Sequence, residues 1–137
     1  MSAAPVLDGY ALLAFLRDES GGETVGQILE RASQNDQAVG MTEAHYAEVQ
    51  YLIRRDHGAA VWKTIAGELQ GAPIEFHPVT RRLADLAAEF KARHPLSLAN
   101  AFCAALAREL RTELITGDPE FKPLENEIKI GWLKQPV

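Results

Sequence analysis

Short apolar runs of strand length alternate with helical stretches along the whole chain, and that alternation limits the folds it can adopt. Pro5-Val6-Leu7 reads as a buried strand ending near Asp8, followed at once by a helix to Leu16. Glu19–Glu23 (ESGGE) is a loop, and Thr24–Ser33 carries Val25, Ile28, Leu29 and Ala32 at helical spacing. Ala38–Met41 is the second strand. Thr42 caps a helix to about Arg55, with Tyr46, Val49 and Ile53 on one face, and Ala59–Leu69 is the next helix. Ile74–Phe76 is the third strand. In Thr80–Ala92, Leu83, Leu86, Ala87 and Phe90 mark one helix face; Ser97 opens a further helix to about Leu110. Leu114–Thr116 is a fourth strand, and Ile128–Trp132 a fifth whose Lys129 marks a sheet edge. Strands joined by helices run parallel and are covered on both faces, so the expected fold is a three-layer α/β/α arrangement on a mainly parallel sheet of about five strands. No repeat, low-complexity tract or linker interrupts the pattern, and residues 1–137 are read as a single domain.

The chain has 137 residues, 47% hydrophobic and 24% charged, as expected of a globular domain with a real core. No apolar run nears the roughly 20 residues needed to span a bilayer. The N-terminus, Met-Ser-Ala-Ala-Pro, lacks the features of a signal peptide, so a cytoplasmic location is expected, with no membrane partner. A single cysteine, Cys103, excludes an internal disulfide and a cysteine zinc cage. The formal net charge of −5 argues only weakly against a polynucleotide partner, because divalent cations held by carboxylates would offset that count.

The acidic residues carry the chemistry. In an open parallel sheet, ligands bind at the carboxyl ends of the strands. Asp8 ends the first strand and Asp118 follows the fourth by two residues. Glu48 lies roughly two turns into the helix after the second strand, and Asn100 lies in the first turn of the helix capped by Ser97. A doubly wound sheet can bring all four to one edge. Gathered carboxylates repel one another, and a divalent metal relieves that repulsion. Mg2+ and Mn2+ favour carboxylate, amide and water oxygens, and such an ion can activate water against a phosphodiester. Each residue also has a structural reading. Asp8 and Asp118 are good helix N-caps, Asp118 with Pro119 behind it; Asn100 can pair with the Ser97 cap; Glu48 can be a solvated helix residue.

Four motifs carry a resemblance. They are VLDGYALLAFL around Asp8, TEAHYAEVQYLI around Glu48, LSLANAFCAALA around Asn100 and TGDPEF around Asp118. The chain resembles the PIN-domain family, and within it the VapC-type ribonuclease toxins of type II toxin–antitoxin systems. The resemblance covers almost the whole chain; the last two motifs at their separation are the more specific, the first two weak alone. It implies a PIN-like α/β/α fold and a Mg2+- or Mn2+-dependent endoribonuclease, with an RNA substrate, a cognate antitoxin as inhibitor and a homodimeric assembly. Carried across, Asp8, Glu48 and Asp118 take the family's acidic metal-site positions. Asn100 takes the third acidic position as an amide, which implies weaker metal binding and lower activity. Gly9 stands where Ser or Thr is common. Thr116 and Glu120 are accessory candidates.

Two other readings compete. A PIN-like module that binds RNA or a protein partner without cutting would follow from Asn100. A phosphoacceptor receiver domain would need a cluster of acids after the first strand, an Asp after the third and a Lys after the fifth; Asp8 has no acidic neighbour and the third strand ends Phe76-His77-Pro78. No Gly-rich phosphate loop is present. Cys103 is expected to be a packing residue. His45, His57, His77 and His94 lack metal-ligand spacing and are assigned surface or capping roles. Trp62 and Trp132 are assigned to the core or an interface. Arg54, Arg55, Arg81, Arg82 and Lys122 are candidates for RNA phosphate contacts, with none preferred.

Overall fold

A computed structural model describes residues 3–136. Its elements are β1 (Val6–Leu7), α1 (Gly9–Leu16), α2 (Gly22–Gln34), β2 (Val39–Thr42), α3 (Glu43–His57), α4 (Ala59–Gln70), β3 (Ile74–His77), α5 (Arg81–Arg93), α6 (Leu98–Leu110), β4 (Leu114–Thr116), a 3-10 helix (Pro119–Leu124) and β5 (Ile130–Trp132). The five strands form one sheet in the order β3-β2-β1-β4-β5, and every neighbouring pair is parallel. The expected α/β architecture is thus present, with a wholly parallel sheet.

Adjacent strand residues serve opposite faces, as the pleat requires. Val6 and Leu114 pack with α5, α6 and the 3-10 helix, in a cluster containing Leu83, Phe90, Leu106 and Phe121. Leu7, Ile115 and Val39 pack against Val25, Leu29 and Ala32 of α2. Met41 joins Leu12, Val49, Ile53, Trp62 and Leu69 from α1, α3 and α4. Helix α6 comes close to its neighbours because most of its buried residues are small: Ala101, Cys103, Ala104, Ala105 and Ala107, beside Asn100 and Leu106.

Two elements start two residues away from their expected positions. Helix α2 begins at Gly22 rather than Thr24 because Gly21 adopts φ +89°, open to glycine at little cost, and Gly22 lies against the carbonyl of Ala14, where a Cβ would collide. The fifth strand begins at Ile130, and Ile128 is instead a core residue bonded back to the 3-10 helix through its N–H to Leu124.

The strand order fixes where a ligand can enter. From β1 the chain winds outward through β2 to β3, then returns to place β4 on the other side of β1. The β1–β4 junction is therefore the topological switch point, where an open α/β sheet has a crevice at its carboxyl end. Asp8 follows β1 directly and Asp118 lies two residues beyond β4.

Candidate metal centre at the carboxyl edge of the sheet

Five polar side chains are buried among the described residues: Asp8, Thr42, His45, Asn100 and Thr116. All belong to this one edge. Burying polar groups is costly unless they are satisfied, so their concentration at the switch point marks the site.

Asp8 is the N-cap of α1. Its Oδ1 accepts from the Ala11 N–H at 2.8 Å, and its Oδ2 accepts from the Thr116 hydroxyl at 2.5 Å. The Thr116 Oγ1 also accepts from the Asp118 N–H at 2.9 Å, so one buried hydroxyl joins the turns after β1 and β4. Asp118 caps the 3-10 helix through Oδ1, which accepts from the Glu120 N–H at 2.9 Å. The capping and site readings of Asp8 and Asp118 therefore coexist: each acid spends one oxygen on a helix end and turns the other into the edge.

Thr42 ends β2 and caps α3, accepting from the His45 N–H at 3.0 Å. That cap sets the first turns of α3 at the edge, with His45 buried and Glu48 at the rim, its side chain 45% exposed. Ser97 caps α6, accepting from the Asn100 N–H at 3.2 Å. The Ser97 N–H donates to Glu120 Oε1 at 2.5 Å, so Glu120, from the 3-10 helix after β4, satisfies the open end of α6.

Asn100 is the hub. Its Nδ2 donates to Asp118 Oδ2 at 3.1 Å and to Glu120 Oε1 at 2.9 Å. Its Oδ1 lies 3.1 Å from His45 Nε2 and needs a donor there, which assigns the proton to Nε2 and leaves the buried Nδ1 without a partner. His45 overturns the surface or capping assignment: it lies inside the site, and the ring is held neutral, with its pKa brought down to about 4 chiefly by burial.

The electrostatics are those of crowded acids. Burial raises the Asp8 carboxyl to about 7, against the Thr116 and Ala11 hydrogen bonds; Asp118 and Glu48 add to the rise. Burial also raises Glu48, helped by Asp118 and Glu120. Glu120 goes the other way: burial opposes its charge, but the donors from Ser97 and Asn100 outweigh it. Cys103 lies beneath, its thiol pushed up by burial and then by Asp8 and Glu48, as fits a packing residue.

The fit to a divalent ion differs between the two ends of the edge. At the Asp8–Asp118 end the donors are hard carboxylate oxygens, the type Mg2+ and Mn2+ bind through one or two carboxylates with the rest of the shell water. Toward Asp118 Oδ2 and Glu120 Oε1 Asn100 presents N–H groups, which cannot ligate. In keeping with this, no three His, Cys, Asp or Glu side chains among the described residues form a ready metal cage.

The chain thus has a doubly wound, wholly parallel α/β sheet with acidic side chains at its switch point. A model of the PIN domain matches residues 6–126, most of the chain, and the chain belongs to the PIN domain family. No curated protein matches it. Three solved structures share the fold: a toxin–antitoxin complex from Klebsiella pneumoniae, VapBC2 from Rickettsia felis bound to a promoter DNA fragment, and DNA-bound VapBC from Salmonella typhimurium. The Klebsiella chain is 17% identical with a TM-score of 0.69, over 93% of this chain and 95% of that one. The Rickettsia chain is 13% identical with a TM-score of 0.74, over 94% and 98%. The Salmonella chain is 14% identical with a TM-score of 0.72, over 96% and 98%. At these identities the likeness is one of fold. No helix among the described residues is long and apolar enough to cross a membrane.

Proposed function

We propose that the protein is a metal-dependent endoribonuclease of the VapC toxin type, hydrolysing RNA phosphodiester bonds in the cytoplasm and inhibited by a cognate antitoxin. The observation that carries this reading is the gathering of Asp8, Glu48 and Asp118 at the switch point of a PIN fold, beside every buried polar side chain described. Asp8 and Asp118 would hold a Mg2+ or Mn2+ ion with Glu48 beside it, and the bound ion would supply charge stabilisation at the phosphodiester. Thr116 fixes the two aspartates relative to each other. Glu48 reaches solvent with a raised affinity for protons, which suits it to accept one from attacking water. A homodimer, and an antitoxin tail docking near the acidic edge, follow from the family resemblance.

Purified protein is expected to cleave structured RNA with Mg2+ or Mn2+ and not with chelator, and Asp8→Ala to abolish cleavage. An Asp8→Ala protein that cuts as well as the parent would show the site to be wrong.

One observation favours a second reading. The Asn100 amide already satisfies Asp118 and Glu120, as expected of a PIN-like module that binds RNA or a protein partner without cutting. Restoring the acid separates the two. A large gain in cleavage for Asn100→Asp marks a competent but weakened nuclease; no gain, with RNA binding intact, marks a binding module.

A further inference from the structure

The side chains of Asn100 and His45 form a single device. An amide nitrogen has two N–H bonds, and those of Asn100 go to two different carboxylates, Asp118 and Glu120. Two carboxylates drawn to one point need positive charge or donors between them. Here the amide supplies the donors. It can do so only if it is held the right way round, because a half-turn of the amide would aim its oxygen at both acids. The His45 Nε2–H, bonded to Oδ1, sets that orientation from the opposite side.

Gly9 lies against the same ring and against the Glu48 carboxylate. A Cβ at Gly9 would lie 3.0 Å from Glu48 Oε1 and 3.4 Å from His45 Cδ2. The imidazole is buried and its other nitrogen is unpartnered, so its single described side-chain hydrogen bond is the one to Asn100.

We propose that His45 is a positioning residue that locks the Asn100 amide with its NH2 toward Asp118 and Glu120, so that an amide holds this half of the site together and the edge takes a single divalent ion, at the Asp8–Asp118 end. The inference rests on the reading of the edge as a divalent-cation site. It sets this chain's stoichiometry, and it assigns the Glu120 end to hydrogen bonding rather than to ligation.

Two measurements on the intact protein test it. The first is the number of Mn2+ ions bound, by electron paramagnetic resonance titration and calorimetry at pH 8, expected to be one for the parent and two for Asn100→Asp. The second is hydrogen exchange of the Asn100 side-chain NH2 by NMR. It is expected to be slower than that of exposed Asn side chains by at least about tenfold, and to lose that protection in His45→Phe, which keeps a ring but removes the donor. Should either variant fail to fold, the parent's own ion count and NH2 exchange decide the matter. Two ions on the parent, or an unprotected NH2, overturns the lock. No ion on the parent, with the NH2 protected, instead overturns the divalent-cation reading.

Discussion

Neutralising Asp8 should stabilise the metal-free protein, and the gain should grow with pH. The Asp8 carboxyl rises from its ordinary 3.8 to about 7 in the folded state, first because it is buried. The folded chain thus binds this proton more tightly than the unfolded chain, and the stability this confers is complete below pH 4 and lost as pH rises through 7. At about 1.4 kcal/mol per pH unit, the ionised carboxylate costs roughly 4 kcal/mol at pH 8 and roughly 2 kcal/mol at pH 5. Asp8→Asn removes that cost and keeps an oxygen for the Ala11 N–H. Its NH2 must then face Thr116 Oγ1, which already accepts from the Asp118 N–H, a rearrangement worth about 1 kcal/mol. The variant should therefore gain about 3 kcal/mol at pH 8 and about 1 kcal/mol at pH 5 in chelator, read as the shift of the urea midpoint at constant slope. An equal gain at both pH values, or a loss at pH 8, would show that burial does not raise the Asp8 carboxyl in the folded state.

Thr116→Val removes the hydroxyl shared by Asp8 and Asp118; it should cost about 1–3 kcal/mol in urea unfolding. It also removes the strongest influence lowering the Asp8 pKa, so an NMR carboxyl titration should find Asp8 protonated to higher pH than in the parent. Gly117→Ala drives a Cβ into the Tyr10 ring between β4 and Asp118; a loss of about 1–3 kcal/mol is expected by calorimetry, and unchanged stability would mean that Tyr10 yields freely.

Much of the fold was legible because its periodicities are clean. Val25, Leu29 and Ala32, and Leu83, Ala87 and Phe90, are the buried faces of α2 and α5 as their spacing requires. The positions of Asp8, Asn100 and Asp118 could be placed because each lies beside a strand end or a cap. His45 was missed. On α3 the fully buried positions are His45, Val49 and Ile53, at i, i+4 and i+8, while Tyr46 is only half-buried against Trp62 and Phe76. That spacing, with Glu48 one turn on, is the signal that could have found it, but an apolar reading of the face favours tyrosine over histidine. Glu120's reach to Ser97 and Asn100 is a tertiary contact across 23 and 20 residues that no local pattern encodes. Trp62 is core, whereas Trp132 stands partly exposed on the edge strand β5 with its N–H on Glu125. Among the arginine candidates for phosphate contact, Arg55 pairs with Asp56 and Arg82 with Glu109.

In the proposed nuclease the switch point of this sheet holds a divalent ion on Asp8 and Asp118. Anomalous diffraction from Mn2+-soaked crystals tests it most directly. A manganese peak is expected within coordination distance of both carboxylates and is lost in Asp8→Ala crystals. A parent crystal with no peak there, at Mn2+ concentrations that support RNA cleavage, would contradict it.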